Sequence, residues 1–170
     1  MWNRRHNEAT PSPCPSCSWP LEHHTQDLRL LYPDEIAGWS ASDLSERVDT
    51  NDTFMRVNND RYFIRSILPV HLTGGHLIAF AVWVQVTVDD LTAAAPNWDT
   101  PDYADLRLTG YLANTLAPFP NLQAGASVET EVKHLDELPY ISVSTNPLLK
   151  QILETDWDHA TVLDPLLNDG

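Results

Sequence analysis

The sequence predicts a single α+β domain, with five or six mostly antiparallel strands and a few short helices packed on one face or at one end. Three stretches carry this expectation. Residues 61–72 (RYFIRSILPVHL) and 76–88 (HLIAFAVWVQVTV) are rich in β-branched and aromatic residues and flank Thr73-Gly74-Gly75. Residues 126–135 alternate, with Ala126, Val128, Thr130 and Val132 on one face and Glu129, Glu131 and Lys133 on the other, as in a half-exposed antiparallel strand. Asn146-Pro147 caps and opens a helix whose Leu148, Leu149, Ile152 and Leu153 form one apolar stripe.

The remaining elements follow in order. Residues 1–13 are polar and proline-bearing and read as a flexible N-terminal tail, leaving 14–170 as the domain. Residues 14–24 (CPSCSWPLEHH) form a knuckle-like segment, and YPDEIAGW a short helix with Pro33 in its first turn. Residues 40–52 read as loop or irregular helix, Thr53–Val57 as a short strand, and Asn58-Asn59-Asp60 as a turn. A three-residue loop at 73–75 gathers Ile64, Leu68, Val70, Phe80, Val82 and Val84 on one face and sets Arg65 opposite Trp83. Burying these six side chains contributes on the order of 9–18 kcal/mol before chain entropy is subtracted. Asp89-Asp90-Leu91 starts a short helix before a Pro/Asp-rich loop reaching Asp102, and Leu106–Leu116 is strand-like. Pro139–Ser144 is the hairpin partner of 126–135. His159–Leu163 reads as extended or irregular, with Asp164-Pro165 opening one last short helical turn.

Composition narrows function by exclusion. The 170 residues carry 10 Lys and Arg against 24 Asp and Glu, a formal charge of −14. Lys133 and Lys150 are the only lysines and the arginines are scattered. Nucleic-acid binding needs clustered bases that release counterions, so DNA, RNA and anionic membranes are poor partners. No run of 18 apolar residues exists and the N-terminus has no apolar signal core, so the expected location is the cytoplasm. Two cysteines fit a reducing compartment.

In chain order stand a CxxC, RYFIRSILPV, a strand ending in VWVQV, GYLANTLAPFPN, VETEV and STNPLL. This succession resembles the bacterial family called domain of unknown function 2199, over roughly residues 14–165. Its most specific pieces are Tyr62-Phe63-Ile64-Arg65, Trp83-Val84, and Gly110-Tyr111-Leu112 with Asn114. Two departures stand out: Ser18 occupies a position where members tend to carry Gly, and one short turn follows Asp164 where members continue into a longer helix. The resemblance implies a fold and brings no activity with it.

Two constellations can carry chemistry. Cys14 and Cys17 have the spacing of half a tetrahedral zinc site, and His23 and His24 lie close enough in sequence to complete a Cys2His2 set. Adjacent histidines diverge, so His6 or a sheet residue such as His71 is an alternative fourth ligand. Zinc here would order the N-terminus and leave the sheet to its own core. The second constellation is Arg65 stacked on Trp83, with Tyr111 and Asn114 nearby: either a cation–π pair covering the sheet or an anion-binding cleft. His71 and His76 flank the hairpin turn on opposite faces and read as exposed. No GxSxG elbow, GxGxxG, Walker loop or calcium-loop spacing is present. The expected role is therefore that of an acidic binding or accessory protein, docking a protein partner or small ligand. The alternative is a small enzyme with a polar cleft around Arg65, Tyr111 and Asn114.

Overall fold

In the computed structural model, residues 14–17, 19–94, 101, 105–134 and 137–168 are described. The expected tail at 1–13, His6 and Ser18 lie outside them, as do residues 95–100 and Asp102 of the expected Pro/Asp-rich loop. The strands are β1 (Gln26–Arg29), β2 (Val48–Thr50), β3 (Phe54–Val57), β4 (Arg61–Leu72), β5 (His76–Val86), β6 (Arg107–Leu112), β7 (Ser127–Glu131) and β8 (Tyr140–Val143). The helices are α1 (Ala41–Arg47), α2 (Val88–Ala94), α3 (Pro147–Glu154) and α4 (His159–Asn168), with 3-10 turns at Leu21–His24 and Asp34–Ile36.

The β4–β5 hairpin has the expected register. Leu72 pairs with His76 across Thr73-Gly74-Gly75, and Arg65 pairs with Trp83. Gly74 and Gly75 both hold positive φ (86° and 83°), which glycine adopts without a Cβ clash. The Asn58-Asn59 turn between β3 and β4 also holds positive φ, as its two asparagines allow.

The architecture is mostly antiparallel α+β, but the sheet is not open. β4, β5, β6, β7 and β8 close into a five-stranded barrel, sealed where β8 meets β4 in parallel at Ile67–Tyr140. Strands β4 and β5 outrun the barrel. The free edge of β4 takes β3 and then β2, and that of β5 takes β1 in parallel. Among the described residues, eight strands therefore replace the expected five or six.

Alternation decides what the barrel encloses. Ile64, Leu68, Val70, Ile78, Phe80, Val82 and Val84 point inward with Leu108, Leu112, Val128 and Ile141, all buried. Helices α3 and α4 add Leu149, Ile152, Val162 and Leu163 to the same core. Phe63 and Trp83 point outward, where Ile36, Met55 and Val57 cover them in a second cluster.

Two segments differ from expectation. Residues 41–47 form a regular helix because Ser40 accepts a hydrogen bond from the Asp43 N–H (3.1 Å) and caps it. Residues 159–168 are one helix, not an irregular stretch followed by a turn. Pro165 lies inside it and removes one donor. Full burial of Val162 and Leu163 outweighs that loss, and the Thr161 N–H bonds the Asp158 carboxylate (3.3 Å) at the start. Among the described residues, no helix is long and apolar enough to cross a membrane.

Strand β6 crosses β5 very closely at Gly110, where an added Cβ would lie 2.3 Å from the Gln85 carbonyl oxygen. Gly110→Ala must push the strands apart. It is expected to destabilise by about 1–3 kcal/mol in urea unfolding, the range for overpacked sites. An unchanged midpoint would contradict this close approach.

Candidate metal centre and the other sequence-predicted residues

The CxxC turn is built locally. The Cys17 N–H bonds the Cys14 carbonyl (3.4 Å) and the Cys14 N–H bonds the Trp19 carbonyl (2.9 Å), so both thiols face one side. Residues 21–24 then wind into a 3-10 turn that buries His24 completely while His23 stays partly exposed beside Glu22 (3.8 Å). Neighbouring side chains diverge, so only one of the two histidines reaches the thiols.

The fourth group is His159, at the first position of α4. The Cys14 Sγ lies 3.3 Å from His159 Nδ1, and the Cys17 Sγ lies 3.2 Å from His24 Nε2. The four ligand atoms all lie within 4.8 Å of one another. A tetrahedral zinc, with bonds of about 2.3 Å to sulfur and about 2.1 Å to nitrogen, sets such atoms roughly 3.3–3.8 Å apart. The two sulfur–nitrogen distances are already that short. Cys14, His24 and His159 are buried and Cys17 is half-buried.

The second nitrogen of each imidazole is held. His24 Nδ1 donates to the Pro20 carbonyl (3.1 Å), leaving Nε2 with a free lone pair toward Cys17. His159 Nε2 donates to the Thr73 carbonyl (2.6 Å), leaving Nδ1 for Cys14. Carbonyl acceptors on the outer nitrogens are the partners that fix ligand tautomer and orientation at metal centres. A backbone hydrogen bond at Ser16 does most to bring the Cys14 thiol down to about 7, whereas burial raises that of Cys17. Burial pushes His24 toward the neutral form, and the bond to Thr73 pushes His159 up.

His76 is half-buried against this cluster, its ring edge-on to His24 (5.0 Å) and His159 (5.5 Å), while His71 is exposed. Sequence reasoning missed His159 and the placement of His76. The nearest signal was a histidine just before an apolar stripe, 145 residues from Cys14.

The four residues proposed to bind a ligand do not share a cleft. The Arg65 guanidinium does lie over the Trp83 ring (4.4 Å), and both are buried. Arg65 Nη2 and Trp83 Nε1 donate to the same Leu30 carbonyl (2.9 and 3.1 Å), and Arg65 Nη1 donates to the Asp52 carbonyl (3.1 Å). Burial lowers the Arg65 pKa, and nearby Arg29 adds to the effect. Asn114 is 1% exposed; its Oδ1 accepts from the Trp83 N–H (2.7 Å) and its Nδ2 donates to the Tyr32 carbonyl (2.9 Å) and Asp34 Oδ1 (3.3 Å). Both side chains thus pin residues 30–34 onto the outside of the barrel. Tyr111 alone is available to solvent, at 57% exposure, and lines a separate groove.

A small mixed barrel with a Cys2His2 cluster at one end is the class of protein that this fold and site define. The chain belongs to the family described as an uncharacterized protein conserved in bacteria (DUF2199), which it matches over residues 13–152. No curated protein and no solved structure matches it. His159 lies beyond the matched span, so the fourth member of the cluster comes from a helix outside it.

Asn114→Ala leaves the buried Trp83 N–H and Tyr32 carbonyl unpaired. The expected loss is about 2–4 kcal/mol in chemical denaturation, from one to two unsatisfied groups. Thr109→Ala, exposed on the neighbouring strand, is expected to stay within about 0.5 kcal/mol of the parent.

Proposed function

We propose that this chain is a zinc-bound accessory protein, in which a structural zinc held by Cys14, Cys17, His24 and His159 fastens the N-terminal knuckle to α4. The barrel then presents a surface that docks a small ligand or protein partner. One observation carries the zinc assignment: two thiols and two imidazole nitrogens converge within 4.8 Å, with each outer imidazole nitrogen already engaged by a backbone carbonyl. Thiolate and imidazole suit zinc and exclude calcium and magnesium, which take oxygen. Four protein ligands fill a tetrahedral shell, which is the mark of a structural rather than a catalytic zinc. Chemistry at the metal would need an open position that this set does not provide. The formal charge of −14 supports a docking role toward neutral or cationic partners rather than toward nucleic acid.

The test is metal content and ligand geometry in protein purified with reductant and zinc. One zinc per chain is expected, with an X-ray absorption signature of two sulfurs near about 2.3 Å and two nitrogens near about 2.0 Å. His159→Ala and His24→Ala should each weaken zinc binding by more than about 100-fold, beyond what loss of an outer-shell partner does. His23→Ala should leave it unchanged. Protein that takes up no metal, or retains full affinity without His159, would reduce the cluster to thiol–imidazole hydrogen bonds.

A further inference from the structure

The outer face of β6 and β7 forms a groove of about 670 Å³, within the roughly 300–1,000 Å³ range of small-molecule sites. Gln85, Thr87 and Asp90 wall one side, where Thr87 and Asp90 cap the start of α2 by exchanging hydrogen bonds (3.2 and 3.4 Å). Val143, Ser144 and Thr145 wall the other. Gly110 lies in the floor, where β6 crosses close over β5.

The lining has a definite chemistry. Glu129 pairs across the strands with Thr109 on one side and Val143 on the other, and Tyr111 lies diagonally from it on the same face. Tyr111 and Val143 are 57% and 49% exposed and so can meet a bound molecule. Among the described residues of the lining, Asp90 and Glu129 are the charged groups and none is Lys or Arg. Among the described residues, Glu129 has no basic partner. The Ser127 and Thr145 hydroxyls bond one another (2.6 Å) at the end of the groove. A carboxylate beside an aromatic face, with an apolar neighbour and no competing base, suits a positively charged nitrogen on an apolar body. An anion would meet two carboxylates and no compensating charge.

We propose that this groove binds a small organic ammonium compound, its nitrogen between Glu129 and the Tyr111 ring and its apolar part against Val143. The size of the groove commits the site to a small molecule; a protein partner needs about 800 Å² on each side. The site is separate from the Cys2His2 cluster and shares no residue with it, so either can fail without the other.

Amide chemical-shift titration of the zinc-loaded full chain tests this, with 2-phenylethylamine as probe. The neutral 2-phenylethanol, the anionic 3-phenylpropionate and a tri-lysine peptide serve as comparisons. Saturable shifts confined to residues 109–111, 127–129 and 143–145 are expected with the amine alone. Glu129→Gln and Tyr111→Leu should each raise its Kd at least three-fold while zinc content and circular dichroism stay unchanged. No saturation by about 10 mM amine, equal binding of the alcohol, tighter binding of tri-lysine, or an unchanged Kd in Glu129→Gln would each overturn the proposal.

Discussion

The register of the β4–β5 hairpin is the constraint on which the other elements depend. With Leu72 opposite His76 and Tyr62 opposite Val86, every even-numbered side chain from Ile64 to Val84 faces one way. A slip of β5 by one residue would turn Trp83 into the barrel and expose Phe80 and Val82. Because β4 and β5 are twelve and eleven residues long, each has edge to spare beyond the barrel. That surplus recruits β1, β2 and β3, and with them the segment that Arg65 and Asn114 pin down. The hairpin turn also supplies the Thr73 carbonyl that orients His159.

Residues 14–24 and α4 meet at this turn. Residues 14–24 provide three members of the cluster, and α4 provides the fourth. The Trp157 and Thr73 backbones bond one another's neighbourhood directly, through the Thr73 N–H to the Trp157 carbonyl (3.0 Å) and the Trp157 N–H to the His71 carbonyl (2.7 Å). Trp19 Nε1 also donates to Asp164 on α4 (2.6 Å). The knuckle is therefore not a satellite of the domain. An ion at its centre would join residues 14–24 to α4, and the sequence-based view of zinc as ordering the N-terminus alone leaves α4 out.

What the sequence made legible follows from local chemistry. The hairpin register, the Asn58-Asn59 turn, the alternation of β7 and the Asn146 cap each rest on adjacent residues, and each is present. Barrel closure was not legible, because its seal is a parallel contact between β4 and β8 that leaves no periodic mark. Strands β1 and β2 are four and three residues long with no buried residue, so no apolar alternation announced them. Pro165 disguised α4. Three of the four members of the metal-type cluster were visible as CxxC and His24, but a partner 145 residues from Cys14 is placed by the fold, not by spacing. Arg65 and Asn114 looked like cleft residues because their polar groups are legible and their backbone partners at Leu30, Tyr32 and Asp52 are not.

Hydrogen exchange by mass spectrometry, comparing zinc-loaded protein with the same protein after chelation, tests the central claim most directly. A metal that bridges residues 14–24 and α4 predicts faster exchange in both residues 14–30 and residues 157–168, while β4 and β5 stay protected by their own core. Loosening confined to residues before 30, with α4 unchanged, would contradict the bridge between the knuckle and α4.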